Sequence, residues 1–132
     1  MAHWPDDRIQ RLFNIKLPII QAPMAGSSTT EMAIAVSVAG GLGSLPSAQM
    51  TPAQLTEALI KFRKATSAPV NVNFFCHTPA GNDPLVDRQW RKRLESYYTQ
   101  FDIDPEVQVA SANRAPFDDA YCSIVEPSCR RW

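Results

Sequence analysis

Two prolines, Pro18 and Pro23, bracket the run Ile19-Ile20-Gln21-Ala22. Neither has an N–H to give to a sheet, so an extended stretch cannot pass through them as a regular central strand. The β-branched pair Ile19-Ile20 predicts a short buried strand over Leu17 to Gln21. Ala22, Met24, Ala25 and Gly26 then make a loop of little side-chain bulk with one permissive glycine. Ser27, Ser28, Thr29 and Thr30 follow as N-cap candidates for a helix. A strand, a small-residue turn and a capped helix make a βα connection, and α/β folds gather ligands at that end of their strands. The residue types alone fit a plain tight connection as well as a turn that a ligand approaches.

With 132 residues, the chain is long enough for one domain with its own core. Hydrophobic residues make up 45% and charged residues 20%, which suits a globular rather than a disordered chain. Thirteen basic residues balance thirteen acidic ones, so charge gives no case for nucleic acid or an anionic membrane as partner. Arg130-Arg131 is too short for a basic patch. No apolar run approaches the roughly 20 residues of a membrane span. Residues Met1 to Arg8 lack the apolar core of a secretory signal. Cys76, Cys122 and Cys129 are an odd set without a disulfide framework, so a reducing cytoplasm is expected. Cys76-His77 and the distant His3 supply too few ligands for a metal site, and none is expected.

Along the chain, Arg8 to Ile15 reads as an amphipathic lead-in, with Ile9, Leu12 and Phe13 at helical spacing. A first helix is expected over Thr30 to Ala39, with Met32, Ala33, Val36 and Ala39 as its apolar stripe, stopped by Gly40-Gly41. Leu42 to Leu45 follows as a second strand, ended by Pro46. Thr51-Pro52 is a helix start, N-cap then first position. Leu55, Leu59, Ile60 and Phe62 make its buried side, and Glu57, Lys61 and Lys64 its solvated one. Pro69 opens a third strand through Phe75. After the turn formers of His77 to Pro84, one long helix is expected from Leu85 to Phe101. Its stripe of Trp90, Leu94, Tyr97, Tyr98 and Phe101 reads as core, and Arg88, Arg91, Lys92 and Arg93 as a solvated face. Beyond Asp102 the pattern weakens. Val107 and Val109 suggest a short extended piece. Pro116 to Asp119 begins a last helix with Tyr121, Ile124 and Val125 on its apolar side, ended by Pro127.

The order strand, helix, strand, helix, strand, helix with short connections implies an α/β fold of parallel strands with right-handed crossovers. The three strand ends then deliver Ala22-Pro23-Met24, Ser44-Leu45-Pro46 and Asn73-Phe74-Phe75 side by side. Asparagine is unfavourable inside a strand, and a buried amide needs partners. Asn71 and Asn73 therefore either cap backbone groups within the sheet or present a donor pair and an acceptor to a ligand.

The run Leu17-Pro-Ile-Ile-Gln-Ala-Pro-Met-Ala-Gly26 resembles the opening motif of the nitronate monooxygenases, formerly 2-nitropropane dioxygenases. Ala39-Gly-Gly-Leu-Gly-Ser-Leu-Pro46 and Pro69-Val-Asn-Val-Asn-Phe-Phe75 resemble that family's second and third strands, in the same order. The resemblance runs from about Leu12 to about Val125. It implies the N-terminal portion of a (β/α)8 TIM barrel: a single partial domain over 1–132, with a lead-in helix at 1–16, three βα units at 17–101 and an irregular or truncated end at 102–132. It also implies an FMN flavoprotein. Backbone of Ala22, Pro23 and Met24 would meet the isoalloxazine, and Asn73 its polar edge. The implied reaction is oxidation of an alkyl nitronate to a carbonyl compound and nitrite with O2.

Three departures qualify what the resemblance implies. The family's catalytic histidine, in a Ser-Phe-His-Phe-Gly type motif, has no counterpart, so no catalytic residue is assigned. The glycine-rich loops for the FMN phosphate are absent. The ending Glu126-Pro-Ser-Cys-Arg-Arg-Trp132 leaves the pattern, as a fragment or a truncated or frame-shifted product would. Half a barrel has open parallel edges, so little activity alone and self-association through those edges are expected. The alternatives are a related FMN-dependent enoyl reductase barrel and a non-catalytic fragment that associates.

Overall fold

The computed structural model describes residues 4–78, 81, 83–107 and 116–128. His3, Pro79, Asn82, Val109, Cys129 and the Arg130-Arg131 pair lie outside them. The chain forms two compact units, one from Met1–His77 with Asn113–Trp132 and the other from Thr78–Ala112.

The first unit begins with helix α1 (Arg8–Phe13), which ends where Asn14 turns left-handed at φ 52°. Of its expected apolar face, Ile9 and Leu12 are exposed and Phe13 is half-buried, and the buried residue of the lead-in is Ile15 beyond the helix. The expected first strand is reduced to one parallel bridge, Ile20 to Leu42. Leu42 N–H donates to the Ile19 carbonyl and Gln21 N–H to the Leu42 carbonyl, both at 2.9 Å. Pro18 and Pro23 supply no further ladder donors. Ile19 and Ile20 are 52% and 48% exposed, not buried, because among the described residues no strand lies beyond this segment.

Helix α2 (Thr30–Ala39) starts where the Thr29 hydroxyl accepts from Met32 N–H. It stops at Gly40, whose φ of 104° suits a residue without a Cβ. Its buried side differs from the expected stripe: Ala33 and Ser37 are buried, whereas Met32 and Ala39 are exposed. Ser37 is tolerated inside because its hydroxyl accepts from Gly43 N–H at 3.0 Å and donates to the Pro69 carbonyl at 3.3 Å. Strand β1 (Gly43–Pro46) is buried throughout. Gly43 allows α2 to lie directly on it: a Cβ there would sit 2.1 Å from the Ala33 carbonyl oxygen.

A short 3-10 turn (Ser47–Gln49) leads to helix α3 (Pro52–Ala65), which opens with a reciprocal capping box between Thr51 and Gln54. Leu55, Ala58, Leu59 and Phe62 are buried. Ile60 falls outside that stripe and is exposed. Strand β2 (Val70–Asn73) pairs with β1 in parallel, Gly43 with Val70 through Pro46 with Asn73. The last helix of this unit, α6 (Asp119–Val125), is capped by Asp118 and passes into a 3-10 turn that contains Pro127. Its Tyr121 joins Ala33, Leu45, Leu55, Leu59 and Phe62 in one core. The Tyr121 hydroxyl donates to the Met50 carbonyl at 2.7 Å, and its ring lies 5.4 Å from that of Phe74.

The second unit holds helices α4 (Pro84–Arg93) and α5 (Glu95–Gln100) where one long helix was expected. Leu94 (φ −94°, ψ 2°) leaves helical geometry, and its N–H is shared between the Trp90 and Arg91 carbonyls. The aromatic stripe is not core: Trp90, Tyr97 and Phe101 are each more than half exposed. Among the described residues this unit has no strand of its own, and two short helices alone have little surface to bury. Val107 follows a turn rather than forming a strand. Among the described residues, no helix is long and apolar enough to cross a membrane.

Candidate functional site

The site starts from three adjacent chain segments: the extended residues around Ile20, then β1, then β2. All run in parallel, so their C-terminal ends fall together. The first segment leads into Ala22-Pro23-Met24, where Ala22 and Met24 are exposed and Pro23 half-buried. The turn is closed by Ser28. Its buried hydroxyl accepts from Met24 N–H at 3.2 Å and donates to the Ala22 carbonyl at 3.3 Å. The N–H groups of Ser27 and Ser28 donate to the Met24 carbonyl at 3.0 and 2.7 Å. From sequence, Ser28 was only one of several N-cap candidates. Thr29 takes that role, and Ser28 instead ties the loop to itself.

The asparagines of β2 part ways. Asn71, half-buried, donates from Nδ2 to the Ser44 hydroxyl at 3.1 Å, so its partner within the sheet is a side chain and not the backbone group expected. Asn73 ends the strand opposite Pro46 and is exposed. Ala22, Met24 and Asn73 thus all present accessible groups at strand ends, a small-residue backbone turn and a carboxamide. A flat heteroaromatic group with a polar edge needs close backbone approach on one side and paired donors and acceptors on the other. The residues present fit such a group.

Gln21 and Ser44 were missed as partners. Gln21 Oε1 accepts from Ser44 N–H at 3.2 Å, Nε2 donates to the Ser44 carbonyl at 3.4 Å, and the Ser44 hydroxyl donates to the Gln21 carbonyl at 2.6 Å. The visible signal was a polar residue at the last position before Ala-Pro, where the ladder loses a donor.

A separate open groove of about 460 Å³ lies beside these residues, lined by Gly26, Ser28, Pro46, Met50, Gln54 and Lys61 among others. None of Ala22, Pro23, Met24 or Asn73 lines it. At its margin Lys61 Nζ pairs with Glu31. This ammonium, with the Glu31 backbone N–H and the Thr29 hydroxyl, holds the Glu31 carboxyl down at about 2. The pair is exposed and reads as a tie between α2 and α3.

Comparison with known proteins gives a consistent set. The family model described as nitronate monooxygenase matches residues 6–121. The chain is 45% identical over 104 residues to a nitronate monooxygenase of Pseudomonas aeruginosa, aligning 78% of this chain with 29% of that protein. It is 40% identical over 99 residues to the nitronate monooxygenase of Paraburkholderia phytofirmans, aligning 75% of this chain with 27% of that one. Among solved structures it is similar to a nitroalkane oxidase from Streptomyces ansochromogenes, with TM-score 0.61 and 27% identity over 89% of this chain and 32% of the other. It is also similar to FabK from Thermotoga maritima, with TM-score 0.51 and 31% identity over 73% and 28% of the two chains. The chain therefore spans about a third or less of the length of these relatives.

Proposed function

The chain belongs to the nitronate monooxygenase family, and from that premise we propose that it supplies the first three βα units of a (β/α)8 flavin barrel, whose activity is FMN-dependent oxidation of alkyl nitronates to carbonyl compounds and nitrite with O2. In that reading the backbone of Ala22, Pro23 and Met24 lies against the ring system, and the Asn73 carboxamide meets its polar edge. Bound FMN supplies the electron acceptor for the nitronate. The residues of this chain bind and orient. The Ser28 clasp fixes the height of the loop, and the small side chains of Ala22 and Ala25 keep its backbone open to approach.

The observation that supports this reading is the exposure of Asn73 at the strand end while Asn71, two residues earlier, is engaged within the sheet. The test is a fluorescence titration of FMN against the 132-residue chain and its Asn73→Ala variant. Saturable binding that weakens by about tenfold in the variant, as loss of one or two ligand hydrogen bonds produces, is the expected result. Absence of saturable binding overturns it. If FMN binds, nitronate turnover measured beside enoyl reduction with a nicotinamide donor separates the two flavin-barrel chemistries.

The exposed Ile19-Ile20 segment, a parallel edge with apolar side chains, supports a second reading in which the chain associates with another copy of itself. A colourless dimer or larger species in sedimentation is its signature.

A further inference from the structure

Continuing the parallel ladder past Leu42 calls for two more bonds, Ser44 N–H to the Gln21 carbonyl and residue 23 N–H to the Ser44 carbonyl. Pro23 cannot make the second. The Gln21 side chain takes over, with Oε1 on the Ser44 N–H and Nε2 on the Ser44 carbonyl. The Gln21 main-chain carbonyl, left without its ladder donor, accepts instead from the Ser44 hydroxyl at 2.6 Å. A serine hydroxyl has one proton to give, so Ser44 commits it to Gln21 and receives Asn71 Nδ2 on a lone pair. Ser44 is fully buried, and its two partners are half-buried.

This chain of bonds ends on a particular peptide. The Gln21–Ala22 unit is planar, so holding its carbonyl toward Ser44 fixes the opposite direction for the Ala22 N–H. The next carbonyl, that of Ala22, is held by Ser28. Two serine hydroxyls thus set two successive peptides of the loop. We infer that Asn71 and Ser44 are positioning residues for this loop, acting through Gln21, and that β2 divides its two asparagines between the protein (Asn71) and the ligand (Asn73). The ligand half of this inference rests on the flavin reading above.

The test uses the full chain with Asn71→Ala, Ser44→Ala and the isosteric Asn71→Asp, in two measurements. The first needs no cofactor: amide hydrogen exchange across residues 21–28 compared with Leu59 and Phe62 in α3. Loss of one buried hydrogen bond is expected to speed exchange in the loop by about fivefold and leave the α3 amides unchanged. Asn71→Asp is expected to do at least as much, since the introduced carboxylate accepts only and draws the Ser44 proton away from Gln21. Unchanged loop exchange, or a uniform rise at all amides, overturns the positioning role. The second measurement is FMN titration with the visible absorption band recorded. About fivefold weaker binding with a shifted band is expected in Asn71→Ala, and unaltered affinity and band overturn the ligand half. If the parent chain binds no FMN, the flavin reading fails, and the exchange data still decide the relay.

Discussion

Gly43 lies directly beneath Ala33: the space a Cβ would need is filled by the Ala33 carbonyl oxygen at 2.1 Å and by Ser37 Oγ at 2.6 Å. Helix α2 therefore sits on β1 at backbone distance. Gly43→Ala must lift the helix or twist the strand, and it also strains the bond from Gly43 N–H to Ser37. A loss of about 2–3 kcal/mol is expected, the upper range for overpacking. A urea midpoint shifted by less than a tenth of the parent value would count against this contact.

Tyr121 joins the two chain segments of the first unit through its hydroxyl on the Met50 carbonyl. Tyr121→Phe keeps the ring against Phe74 and removes only that bond. The expected loss is about 1–2 kcal/mol, read from thermal unfolding followed by near-ultraviolet circular dichroism. An unchanged melting temperature would show that the carbonyl finds another donor.

The Glu31–Lys61 pair makes a pH-dependent contribution. The folded Glu31 carboxyl is depressed to about 2 from its usual 4.5, so the folded state favours its charged form. Its stabilisation is full above about pH 4.5 and is lost as pH falls toward 2. Because both groups are exposed, salt screens the pair. Glu31→Gln is expected to flatten the slope of stability against pH in that window, and 0.5 M salt, on the order of ten times a low-salt buffer, to do most of the same to the parent. Equal slopes for parent and variant at low salt would remove the pair from the account.

The capping box at α3 gives a local prediction. Thr51→Ala removes the acceptor for Gln54 N–H, while Gln54→Ala removes the acceptor for Thr51 N–H. Each is expected to cost about 1 kcal/mol, and the double variant less than the sum, since each bond holds the geometry of the other. Strict additivity in denaturant unfolding would show two independent caps.

Much of the local structure was legible because backbone chemistry decides it. Thr51-Pro52 starts a helix by supplying an acceptor and dispensing with an N–H, and Gly40 ends one by accepting a left-handed φ. The packing of the helices was less legible. Ser37 stands outside the expected apolar stripe but is buried, since its hydroxyl finds two backbone partners brought together only by the fold. Ile60, Trp90, Tyr97 and Phe101 read as core but are exposed, since periodicity names an apolar face and not what covers it. At the candidate site, the two asparagines of β2 were visible as an anomaly. Their separate surroundings were not, because the difference depends on Ser44 in a neighbouring strand. The extended segment at Ile20 was legible as a strand, yet its prolines leave it a single bridge.

The bond from Phe117 N–H to the Phe75 carbonyl, 2.8 Å, with the ring of Phe117 4.8 Å from that of Phe74, brings the chain back to within one hydrogen bond of where it left. Everything between is a closed excursion from the first unit, with both ends tied. Closing such a loop costs an entropy that grows only logarithmically, about 0.6 kcal/mol for each doubling in length. The core of α2, α3, α6 and the two strands is therefore nearly indifferent to how many residues are spent there. A change in the length of that interval is therefore expected to leave the scaffold that carries the strand ends in place.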